Sequence, residues 1–77
     1  MTDSSDSPPL FRYAVIWIGV EWRIVCARRA MGHFTSRDLA LNAASSLARE
    51  AILAGHLAEI LLQSESGELR VLWPDRP

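Results

Sequence analysis

From residue 11 the chain alternates. Phe11, Tyr13, Val15 and Trp17 fall on one parity and Arg12, Ala14, Ile16 and Ile18 on the other, the two-residue period of a β-strand over 11–18. A second alternation, Trp22, Ile24 and Cys26 against Glu21, Arg23, Val25 and Ala27, predicts a strand over 21–27, joined to the first by a short link at Gly19 and Val20. Residues 28–34 keep neither period and are broken by Gly32, so a loop is expected there. Residues 59–63 and 68–73 are again strand-like and flank Ser64, Glu65, Ser66 and Gly67, a polar link of the kind that closes a hairpin.

Between the hairpins the period becomes helical. Thr35 stands three residues before Asp38, the spacing at which a cap oxygen and a first-turn acid satisfy free backbone donors, and Gly55 tolerates the left-handed turn that ends a helix. A helix over 36–54 follows. Asp38, Asn42, Ser45, Ser46, Arg49 and Glu50 gather on its polar arc, whereas Ala40, Ala44, Leu47 and Ala51 centre an apolar arc with Leu41 and Ile52 at its flanks. Small residues at the centre let the helix lie close to a sheet. The apolar arc is on the order of 200° wide, more than one sheet needs, so a second contact over a flank is expected.

These elements predict an α+β fold over residues 11–73, an antiparallel sheet of two hairpins (β-β-α-β-β) packed on one helix. The polar, proline-containing segment 1–10 reads as a disordered tail and 74–77 as a short free one. With 77 residues, 49% of them apolar and 22% charged, the chain has room for one small globular domain and no large enzyme scaffold. The net charge of −1 removes the basic field behind non-specific nucleic-acid binding, although all eight cations are Arg, which suits specific contacts. One cysteine forms no internal disulfide, and the acidic amino terminus and the short apolar run 13–20 give neither a signal peptide nor a membrane span. A soluble cytoplasmic protein is the expectation.

Catalytic and metal chemistry find little support. Cys26, His33 and His56 fit no zinc spacing; His33 reads as a loop or cap residue, His56 as a neighbour of the helix carboxyl end, and Cys26 as a core thiol. Ser45 and Ser46 have no activating base, Asp38 and Glu50 are too far apart to work as a pair, and no glycine loop could cradle a phosphate. No enzyme activity, cofactor or metal is expected.

Trp22 and Ile24 in the second strand, the cap from Thr35 to Asp38 before the alanine-rich helix, and Glu59 to Leu62 followed by Gly67, Glu68 and Leu69 resemble a family of small bacterial domains of unknown function with the same layout. The resemblance covers 11–73, and the chain departs from it in lacking Lys. A second, partial resemblance is to HicB-type antitoxins, in the strand Tyr13 to Ile16 and the capped helix that follows. Ala30, Met31, Gly32 and His33 stand where those antitoxins place a proline-glycine signature, and no separate DNA-binding domain is expected. This likeness implies a regulator that binds RNA or a toxin.

The outer face of the sheet carries the remaining signal. If Trp22, Ile24 and Cys26 face the helix together with Leu69, Val71 and Trp73, then Arg12, Arg23 and Arg70 lie opposite, among Ala14, Ile16, Val25 and Leu72. Apolar surface ringed by Arg, Glu21 and Glu68 is how a partner interface tends to look. The residues expected to bind a partner are therefore Arg12, Ile16, Arg23, Val25, Arg70 and Leu72, with Leu41 and Ile52 on the helix flank. The sequence thus predicts a non-enzymatic interaction protein, an adaptor or inhibitor acting as a homodimer or on a heterologous protein. The alternative is an RNA-binding or antitoxin-like regulator using the Arg-bearing face, with nucleic acid disfavoured because aromatic rings fall on the other side.

Overall fold

The computed structural model describes residues 9–74. The expected tails fall mainly outside them, except that Leu10 already pairs in the first strand and Pro74 follows the last. The fold is α+β, a five-stranded mixed sheet and one helix in the order β1 Leu10–Trp17, β2 Trp22–Cys26, β3 Arg29–Phe34, α1 Arg37–Leu53, β4 Leu57–Gln63 and β5 Leu69–Trp73. Across the sheet the strands run β3-β2-β1-β4-β5.

Two expectations are corrected here. Of the segment 28–34 expected to be a loop, Arg29–Phe34 is a strand, so three strands precede the helix. The sheet is also mixed instead of antiparallel, because β1 and β4 pair in parallel from Leu10↔Leu57 to Val15↔Leu62. The 17-residue helix spans about 25 Å and carries the chain back along the sheet. β4 therefore starts at the same end as β1, where the Leu57 N–H donates to Pro9 at 2.9 Å.

β3 escapes sequence reasoning for a local reason. Its turn is Ala27 and Arg28, both at positive φ (53° and 68°), a conformation usually signalled by Asn or Gly and costing other residues about 1 kcal/mol each. Its period is broken by a bulge, since Arg23↔His33 and Val25↔Ala30 leave Ile24 opposite two residues. Gly32 sits in that bulge at φ 138° under the ring of Phe34, where a Cβ would come within 2.8 Å of the ring carbons. The glycine that looks like a strand breaker is what lets this strand bend.

The helix begins one residue later than the Thr35 cap predicts. Ser36 is the N-cap, in extended backbone, and its Oγ accepts from the Leu39 N–H at 3.1 Å. Phe34 is still paired with Trp22, so the chain needs Thr35 to leave the sheet. At the other end Gly55 closes the helix as expected, with Gly55 and His56 donating to the carbonyls of Ile52 and Ala51. The buried stripe is Ala40, Ala44, Ala48 and Ala51, and it rests on Tyr13, Val15, Ile24, Cys26 and Ile60. Among the described residues only Ile24 and Val15 are large and fully enclosed, so the core is thin.

Candidate functional site

The eight residues expected to meet a partner divide into two groups on opposite sides of the sheet. Strand register settles which, because paired residues share a face. Val15↔Ile24, Tyr13↔Ile60 and Val15↔Leu62 lie under the helix, so Ala14↔Val25, Ile16↔Arg23, Arg12↔Glu59 and Ala14↔Leu61 form the outer face. Arg12, Ile16, Arg23 and Val25 lie there as expected.

Arg70 and Leu72 do not. Arg70 pairs with Leu62, which packs against the core, and is thus on the helix side. Leu61↔Val71 and Ile60↔Trp73 leave Leu72 as the extra residue of a bulge, and Leu72 and Trp73 both line a cleft against the helix with Leu41 and Ile52. Leu69 and Val71, in register with Gln63 and Leu61, face outward, the reverse of the expected facing. Every residue of β5 is exposed, so its alternation carries no burial signal to read.

The outer face has an apolar centre. Ala14, Ile16, Val25 and Leu61 occupy its middle, and Val71, Leu69, Leu57 and Leu10 extend it toward β5 and one end. No element of the described chain covers it; the helix is on the other side. Charges of both signs stand at its margins. Arg12 Nε lies 3.3 Å from Glu59 Oε1 across the parallel pair. At the opposite corner Glu21 accepts from Arg23 Nε at 3.0 Å and from His33 Nδ1, which β3 places beside Arg23. The bond from His33, then that from Arg23, holds the Glu21 carboxyl below its ordinary value of 4.5. His33 is thus a strand residue in a charge cluster, correcting the loop or cap reading.

The second surface is the cleft between α1 and β5, of about 490 Å³, lined by Leu41, Ser45, Ala48, Arg49, Ile52, Leu53, Ile60, Leu72 and Trp73. Beyond it, at the start of the helix, the rings of Trp17 and Trp22 meet at a 55° tilt, centroids 5.5 Å apart, beside Arg37, Leu62 and Gln63. The sequence named Leu41 and Ile52 and placed Trp73 on the helix side, where it lies, but did not mark Arg49 or Arg37; both follow from helical spacing once the alanine stripe is taken as the axis of contact.

The other candidates for chemistry are structurally occupied. Cys26 is buried in the core. The ring of His56 meets Phe11 edge-on at 5.1 Å, with its Nδ1 buried and unpartnered. Burial, more than the charges of Cys26 and Glu50, pushes the Tyr13 phenol above its ordinary value. Among the described residues no three His, Cys, Asp or Glu side chains gather as a metal site, and no helix is long and apolar enough to cross a membrane. No family model, curated protein or solved structure matches the chain, so the geometry of its two surfaces is what bears on function.

Proposed function

We propose that the protein is a non-enzymatic interaction module that works as a homodimer joined through its outer sheet face. One observation carries the reading: a five-stranded face with an apolar centre is left open in a chain whose own core is thin. Five strands at about 4.8 Å and about 3.3 Å per residue give a face of roughly 24 by 20 Å. Two such faces would remove on the order of 1,000 Å² of surface, the size at which specific interfaces begin. The margin suits a copy of itself, because Arg12 with Glu59, and Glu21 with Arg23, offer both signs to a two-fold partner. The regulator reading has less support. A nucleic-acid platform on this face would need rings beside Arg12 and Arg23, and Tyr13, Trp17 and Trp22 are all on the helix side.

Molar mass in solution tests the proposal. At tens of micromolar the wild type is expected to be a dimer, Val25→Asp a folded monomer, and Ile52→Asp still a dimer, since a charge breaks only the contact that buries it. A monomeric wild type would defeat it, and a dimer broken by Ile52→Asp but not by Val25→Asp would move the interface to the helix flank.

A further inference from the structure

The helix covers only part of its sheet. α1 packs on β1, β2, β3 and β4 and leaves β5 largely uncovered, because a helix about 10 Å across cannot span five strands at about 4.8 Å. What remains is a groove of about 490 Å³ running beside α1. Its floor is Ile60, Leu72 and Trp73 and its wall Leu41, Ala48 and Ile52, and the β5 bulge turns both Leu72 and Trp73 into it. The wall residues stand seven and then four positions apart along α1, the seam against which a second helix packs.

Charge decides what kind of helix. Arg49 stands on the wall and Arg70 on the helix side of β5, and neither makes an ion pair among the described residues. No acid among the described residues lines the groove. A second copy of α1 laid here would bring Arg49 against a margin already cationic, unlike the outer face with its mixed signs. We propose that the groove between α1 and β5 binds an amphipathic helix of a partner protein, with an apolar stripe seated between Ile52 and Trp73 and acidic residues along its flanks. α1 lines the groove from Leu41 to Leu53, so a partner helix of 17 residues, the length of α1 itself, spans it. This rests on the reading of the protein as an interaction module and is independent of the dimer.

The test uses the full chain and a displayed library of 17-residue helix-forming peptides, with Leu at the apolar heptad positions and Glu or Lys allowed equally elsewhere. The wild type is expected to select Glu beside the apolar stripe. Leu72→Asp should weaken the selected peptides at least tenfold, and the exposed double variant Arg49→Glu with Arg70→Glu should select Lys instead. Unchanged thermal unfolding of that double variant separates a lost charge from a lost fold. Selection of no peptide, selection without a charge bias, or a bias that survives the double variant overturns the proposal. Tight binding of a single-stranded RNA oligonucleotide, lost in the double variant while peptides fail, overturns it in favour of nucleic acid. A wild-type mass that halves in Leu72→Asp overturns it in favour of a second copy. A monomeric wild type that still selects acidic helices would defeat the dimer alone, whereas a Val25-dependent dimer that selects none would defeat the groove alone.

Discussion

Ser36 shows how one residue position decides an element. Its Oγ takes the Leu39 N–H, a donor that would otherwise lack a partner at the first turn. Ser36→Ala should therefore lower stability by about 1 kcal/mol, while Thr35→Ala, outside the cap, should change it by less than about 0.5 kcal/mol; urea midpoints of the two variants distinguish them. Sequence spacing found the right kind of cap one residue early, because Thr35 and Ser36 are equivalent as chemistry and only the length of β3 separates them. The Ala27 and Arg28 turn was illegible for the opposite reason. Nothing in either side chain announces a left-handed pair, and the closing of the hairpin is what imposes it. Glu21 belongs to this scale as well. A carboxyl held low in the folded state stabilises fully above its ordinary range and loses that contribution as pH falls through it. The thermal midpoint of the wild type should drop more steeply than that of Glu21→Gln between about pH 6 and 3.

Elements follow from what their faces meet. The alanine stripe of α1 was readable because the helix lies on four strands and its centre is enclosed, so burial and period agree. Inserting volume there should be costly: Ala44→Leu is expected to destabilise by roughly 1–3 kcal/mol, and Ser45→Leu, one step round toward the groove, by much less, as chemical denaturation of both would show. The first two strands were legible likewise, since Tyr13, Val15, Ile24 and Cys26 are buried on the parity that alternation assigns them. β5 was not. With water on both sides, Leu69 to Trp73 have no inside to choose, and the placement of Arg70 follows from pairing with β4. Two of the eight expected interface residues, Arg70 and Leu72, thus changed side without any change in the existence of the strand.

At the scale of the whole molecule, thirteen large hydrophobic side chains among the described residues are exposed while two are fully enclosed, and that imbalance is what a partner would correct. If the dimer forms, its unfolding midpoint should rise with protein concentration, and that of Val25→Asp should not; calorimetry over a hundredfold range reads the difference. The mixed topology was beyond reach of local pattern, because nothing in β1 or β4 says that they are neighbours, and only the return of the helix makes them so. That central pairing also governs when the molecule can come into being. β1 leaves the ribosome well before its inner partner, residues 57–63. β1, β2 and β3 join through local turns and can close early, but the other edge of β1 stays open until some forty residues more have emerged and the helix has crossed. A chain stopped at Gly55 would hold every residue of α1 and β1–β3, yet expose its central strand along one side, open to pairing with other nascent chains.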